Sequence, residues 1–198
     1  ETLTRRKAKL GPDHPDTLKS MTNLANSYAA LGRHAEALKL REETLALQKA
    51  KIGPDHPDTL RSMSTLAWFL ATCSDPNFRD AGRAVELAKK AVELAPKQGD
   101  FWNTLGVAHY RAGDWKAAIA ALEKSMGLSK GGDSFDWFFL AMAHWQLGEK
   151  EEARKWYDRA IAWMEKYRPN DEELRRFREE AAKVLKVEAQ PKPVPKSK

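Results

Sequence analysis

The stretch ETLTRRKAKLGPDHPDTLKSM (residues 1–21) decides how this sequence is organised, because it recurs 42 residues later. Residues 43–63 read ETLALQKAKIGPDHPDTLRSM, and sixteen of the twenty-one aligned positions are identical. Self-similarity at a fixed period indicates a repeat architecture, in which each unit is one supersecondary motif that packs against its neighbours. The chain is therefore interpreted as an array of units.

A second set of matches continues the array at a shorter period. FWNTLGVAHYRAGDWKAAIAALEKS (101–125) aligns with DWFFLAMAHWQLGEKEEARKWYDRA (136–160) at a spacing of 35 residues. Each unit carries apolar residues at spacings of three and four, then a turn that contains glycine, then a second periodic stretch with an early alanine. This pattern predicts two helices joined by a short turn, and the small residue lets the two helices approach closely.

The heptapeptide GPDHPDT, at residues 11–17 and 53–59, contains residue types that can bind metal. One copy offers too few converging ligands, however, and the two copies lie on successive units, too far apart to share an ion. A structural interpretation accounts for most of the positions. Gly11 favours a left-handed helix terminus, Pro15 has no amide hydrogen to lose in a first turn, and Asp13 is expected to cap the next helix. The heptapeptide is interpreted as a linker, and no metal is predicted.

Other residues that could carry chemistry have simpler interpretations. His109 and His144 occupy equivalent positions in the 35-residue units and are interpreted as packing residues. Cys73 is the single cysteine, so it cannot form a disulfide within the chain, and it is interpreted as a buried thiol. The sequence contains no glycine-rich phosphate loop, zinc-ligand spacing, nucleophile elbow or kinase catalytic-loop motif. We therefore expect neither catalysis nor a cofactor.

The repeat pattern resembles the tetratricopeptide repeat (TPR), on the residues Trp102, Leu105, Gly106, Gly113, Ala118 and Pro96. The 42-residue units resemble the longer repeats of kinesin light chain and its bacterial relatives. Residues 71–159 resemble a bacterial TPR module found at the C-terminus of large signalling proteins. The resemblance implies an all-α fold, namely an α-solenoid of stacked antiparallel helix pairs with a C-terminal capping helix.

The predicted array spans residues 1–187 as a single domain. It comprises a remnant of a preceding repeat, four repeats and a capping helix, at residues 1–10, 11–52, 53–97, 98–132, 133–168 and 169–187. Because the remnant lacks its partner helix, we expect the chain to be the C-terminal part of a larger bacterial protein. The cap should bury the apolar face Leu174, Phe177, Ala181 and Leu185. Residues 188–198, rich in proline and lysine, are predicted to be disordered.

The predicted function is a non-catalytic scaffold that binds a peptide or protein partner in a concave groove. Two alternatives are a regulatory TPR region of a Ser/Thr protein kinase, with its catalytic domain upstream, and an RNA-binding helical array. The net charge is +6, but basic and acidic residues are interleaved along most of the chain. This arrangement argues against a nucleic-acid partner. No run of eighteen apolar residues exists, which argues against a membrane span. A cytoplasmic location is expected.

In proteins that this chain resembles, one face of the first helix of each repeat lines the groove, and asparagine side chains hold the backbone of an extended peptide. Asn23 and Asn26 match that role in the first complete unit. The basic residues on this face favour an acidic partner, and Trp68 offers an apolar anchor. The predicted groove residues are Lys19, Asn23, Asn26, Arg61, Thr65, Trp68, Thr104, Val107 and Arg111.

Overall fold

A computed structural model of the chain describes residues 2–129 and 131–187. Within these residues the chain forms ten α-helices and no β-strand, so the predicted all-α solenoid is confirmed. The predicted disorder of residues 188–198 lies outside the described residues. The helices are α1 (Thr2–Leu10), α2 (Pro15–Ala30), α3 (His34–Ile52), α4 (Pro57–Thr72), α5 (Ala81–Leu94), α6 (Gly99–Arg111), α7 (Trp115–Leu128), α8 (Ser134–Gln146), α9 (Lys150–Tyr167) and α10 (Glu172–Leu185).

Successive helices pack as pairs, α2 with α3, α4 with α5, α6 with α7 and α8 with α9. Three of the pairs are joined by tight turns at Gly32, Gly113 and Gly148, where φ lies between +73° and +84°. Glycine adopts this left-handed conformation without a steric penalty. The α4–α5 connection is longer and contains a 3-10 turn at Pro76–Phe78. The helices of each pair are therefore antiparallel because the connections between them are short, and only the α4–α5 connection carries an insertion among the described pairs.

Small residues bring the two helices of each pair together, as the sequence pattern predicts. The four early alanines of the second helices, Ala37, Ala84, Ala118 and Ala153, are fully buried. On α6, a Cβ atom added at Gly106 would lie only 2.5 Å from Cγ of Leu122 on α7. The α6–α7 contact therefore depends on the absence of a side chain at this glycine.

The linker heptapeptide differs from the prediction in the residue that caps the following helix. The N-cap of α2 is His14, whose Nδ1 accepts a hydrogen bond from the backbone N–H of Asp16 at 3.2 Å, and His56 caps α4 in the same way. The prediction that Asp13 caps α2 is therefore wrong. Proline at the first helical position forces the preceding residue into extended backbone, and that residue is the histidine. Asp13 instead binds Lys51 at 2.9 Å, and this contact lowers the pKa of Asp13.

One hydrophobic core runs along the array from α3 to α10. Helix α8 is its most enclosed element, because every residue from Asp136 to His144 is buried. The predicted buried face of the last helix is confirmed, since Leu174, Phe177, Ala181 and Leu185 are fully buried. Helix α8 is thus covered by α10 as well as by the neighbouring pairs.

Candidate binding groove

Helix α10 lies across the face formed by the first helices α4, α6 and α8, which we call the groove. Its contacts reach Trp68 and Thr72 on α4, Arg111 on α6 and Phe139 on α8. A helix that merely continued the stack would contact the last pair alone, because repeat units touch their nearest neighbours. Helix α10 therefore covers part of the groove as well as the end of the array.

Three aromatic rings from two helices, α4 and α8, surround Phe177, near the centre of α10. The Phe177 ring lies 4.9 Å from the ring of Phe139, 6.1 Å from that of Trp68 and 6.3 Å from that of Phe135, measured between centroids. All three pairs are edge-to-face, the arrangement that the ring quadrupoles favour. Phe177 therefore fills an apolar pocket in the groove.

Two glutamates of α10 form polar contacts on either side of this pocket. Glu173 accepts hydrogen bonds from Nε1 of Trp68 at 3.1 Å and from Oγ1 of Thr72 at 3.4 Å, and burial raises the pKa of Glu173. Arg111 donates to both carboxylate oxygens of Glu180, with Nη2 to Oε2 at 2.8 Å, and its Nε donates to the carbonyl oxygen of Ala71. The side chain of Arg111 is only 12% exposed, so this bidentate pair is largely shielded from water.

An open cavity of about 730 Å³ continues the groove beside the first turn of α10. Side chains of α4, α6 and α8 line it, and Glu173 is the residue that α10 contributes among those described. Three aromatic residues supply apolar surface, namely Trp68, Phe101 and Phe135. The cavity is large enough for several side chains of a ligand.

Acidic residues dominate the charge of this cavity. Five carboxylates line it, against one cationic side chain, Arg61, among the described lining residues: Asp55, Asp100, Asp133, Asp136 and Glu173. Burial raises the pKa of both Asp133 and Asp136, although backbone and side-chain hydrogen bonds offset part of that rise. Arg168 lies near Asp133 and is paired with Asp171 at 3.4 Å. The cavity therefore favours a positively charged group.

The predicted groove residues have four different placements in the structure, and Trp68 has two of them. Arg61, Thr65, Trp68 and Thr104 line the open cavity, although Thr104 is buried and shares a hydrogen bond with Ser64. Trp68 and Arg111 contact α10. Val107 is fully buried in the core, and Lys19, Asn23 and Asn26 lie exposed on α2, outside the cavity.

Two sets of polar contacts were not predicted from the sequence. One is made by the α10 glutamates Glu173 and Glu180, which lie four and three residues from the predicted buried Phe177 and so share one side of the helix with it. The other is made by Arg41 on α3, whose Nη2 donates to Oδ1 of Asn26 at 2.8 Å. The Nε and Nη1 atoms of Arg41 are buried and, among the described residues, have no hydrogen-bond partner. Burial lowers the pKa of Arg41.

The described residues offer neither a cluster of metal ligands nor a helix that could cross a membrane. No three His, Cys, Asp or Glu side chains in this part of the chain are grouped so that they could hold a metal ion. None of its helices combines the length and apolarity that crossing a bilayer requires.

Three tetratricopeptide repeat models match the chain, the first at residues 1–50 and 18–72, the second at 77–132 and the third at 134–167. No curated protein matches it. Among solved structures it is similar to a kinesin light chain candidate of Podosopora anserina with nearly identical TPR-like repeats (24% identity, 85% of this chain and 84% of that chain, TM-score 0.64). It is also similar to BtubC (BKLC) from P. vanneervenii (22%, 85% and 72%, 0.65) and to MamA (18%, 82% and 84%, 0.56). The three models together cover most of the sequence, and the chain belongs to the tetratricopeptide repeat family.

Proposed function

We propose that this chain is a non-catalytic scaffold that binds a segment of a partner protein in the groove. The observation that carries the proposal is the open cavity of about 730 Å³, which presents aromatic and charged side chains from three successive repeats. Convergent aromatic anchors and charged groups in one concavity are typical of surfaces that bind peptides or small ligands. The sequence contains no glycine-rich phosphate loop, nucleophile elbow or kinase catalytic-loop motif.

The charge of the partner should differ between the two ends of the groove. The basic residues of the sequence suggested an acidic partner, and this fits Arg111, which already holds a carboxylate. The open cavity has the opposite charge, because its carboxylates outnumber Arg61. We therefore propose that the partner places a lysine or arginine, next to an apolar side chain, in the cavity.

The test is a peptide-library screen on the intact chain, followed by fluorescence anisotropy on the selected peptides. Asp100 is an exposed residue that lines the cavity, so Asp100→Asn should fold normally. It should weaken binding of lysine- or arginine-containing peptides by about threefold, the effect of one exposed charge pair. Glu123→Gln, on the exposed side of α7, is the matched control and should change nothing. Peptides that bind equally well to both variants would place the binding surface elsewhere.

A further inference from the structure

Helix α10 makes the contacts of a bound ligand rather than those of another repeat. Its side chains reach α4 and α6, from which they are separated by 105 and 69 residues of sequence. The contacts are arranged as an apolar anchor, Phe177, between two carboxylates, Glu173 and Glu180. Amphipathic helices that bind in grooves use anchors at this spacing, since residues three and four apart share one side of a helix.

The groove residues under α10 form a defined set, which we call the α10 strip: Trp68, Thr72, Arg111, Phe135 and Phe139. Each has a side chain suited to one anchor of the helix. The three rings surround Phe177, Thr72 and the indole N–H of Trp68 donate to Glu173, and the guanidinium of Arg111 donates to Glu180. The strip is therefore complementary to a helix with the pattern Glu-x-x-x-Phe-x-x-Glu.

A partner that replaced α10 would need contacts beyond those α10 makes. Helix α10 is tethered to α9 through residues 168–171, and a short tether gives an effective concentration of the order of millimolar. The open cavity can supply such contacts, because it begins beside Glu173 and α10 contributes no other described residue to it. A partner chain that continued past the first glutamate could enter the cavity.

We propose that the α10 strip is a binding site for an amphipathic helix of a partner protein that presents two glutamates on either side of a phenylalanine, and that α10 is the internal competitor for this site. The partner carries Glu-x-x-x-Phe-x-x-Glu, preceded by a basic residue that enters the open cavity. This inference rests on the proposed function, because it names the partner class and the regulation of the same groove.

The experiment uses a fluorescein-labelled synthetic peptide with the sequence of residues 169–187 and three forms of the intact chain. The Glu180→Arg substitution places a second cation beside Arg111 and weakens the docking of α10. This variant should therefore bind the peptide at least about tenfold more tightly than wild type does. Arg111→Glu/Glu180→Arg reverses the pair and should hold α10 in place. It should bind the peptide no better than wild type. A peptide with Phe177→Ala should lose binding to all three forms.

Circular dichroism first establishes that each variant keeps the helical content of wild type. A folded Glu180→Arg chain that fails to bind the peptide would overturn the proposal. Hydrogen exchange on wild type gives a measurement without any substitution, and the amides of α10 should exchange at least about tenfold faster than those of α8. Equal protection of α10 and α8 would show that α10 does not leave the groove separately, which also overturns the proposal.

The same proteins separate this inference from the proposed function. Lysine-containing peptides selected for the open cavity should bind all three forms, because Asp55, Asp100, Asp133 and Asp136 line the cavity and do not belong to α10. If they bind while the 169–187 peptide does not bind Glu180→Arg, the internal-competitor inference alone fails. If neither class of peptide binds any form, the groove is not the binding surface, and both proposals fail.

Discussion

Replacing Phe177 with alanine should detach α10 before the rest of the array unfolds. The Phe177 side chain is fully buried among rings of α4 and α8, and truncating such a side chain costs about 3–5 kcal/mol. Helix α10 has few other large apolar side chains to hold it, chiefly Leu174 and Leu185. The loss should therefore fall on the docking of α10, because repeat arrays open in local units.

Urea unfolding followed by far-UV circular dichroism tests this expectation. Phe177→Ala should lose roughly a tenth of the helical signal in an early step, which corresponds to the share of helical residues in α10. The matched control is Phe138→Ala on α8, also fully buried, whose ring contacts Tyr157 of α9. This variant should instead move the main transition to lower urea. Two variants with the same shift and no early step would refute the separate opening of α10.

Three further outcomes are expected. A double-mutant cycle on Arg111→Ala and Glu180→Ala should give a coupling free energy of about 1.5–3 kcal/mol in urea unfolding, and a value below about 0.5 kcal/mol would contradict the shielded bidentate geometry. Gly106→Ala should lower the free energy of unfolding by about 1–3 kcal/mol through its clash with α7, whereas Gly127→Ala, with open space around the added Cβ, should raise it by about 0.5–1 kcal/mol. Burial raises the pKa of Glu173 in the folded state above its ordinary value of 4.5, so the folded state holds this proton more tightly than the unfolded state does. The contribution of Glu173 to stability therefore falls as the pH rises above 4.5. The melting temperature of wild type should fall relative to that of Glu173→Gln between about pH 4 and 7.

The repeat architecture could be predicted from sequence because its signals are local. The spacing of apolar residues, the turn glycines and the early alanines each depend on a few neighbouring positions. The buried face of α10, including Leu174 and Phe177, could be predicted for the same reason. The His14 cap was missed although its cause is also local, because Pro15 determines which residue precedes the helix.

The position of α10 could not be predicted in the same way. Amphipathicity indicates that one face of a helix is buried, but it does not indicate which surface covers that face. The decisive contacts, Trp68 with Glu173 and Arg111 with Glu180, join residues far apart in the sequence. Arg111 was expected to meet an external carboxylate, and the structure supplies an internal one. The residue type of Arg111 predicts that it binds a carboxylate, whereas the identity of that carboxylate depends on the tertiary fold.

The acidic cavity shows how stacking turns a local preference into a surface property. Asp100 lies in the first turn of α6, Asp133 caps α8 and Asp136 completes its capping box. Aspartate is common at the start of a helix, because its carboxylate accepts hydrogen bonds from the free N–H groups there and interacts favourably with the helix dipole. Because the repeats are stacked in register, the starts of α4, α6 and α8 meet along one edge of the groove and gather these carboxylates around the cavity. A chain with a net charge of +6 thereby acquires an acidic pocket, and the charge of its partner has to be inferred from that edge rather than from composition.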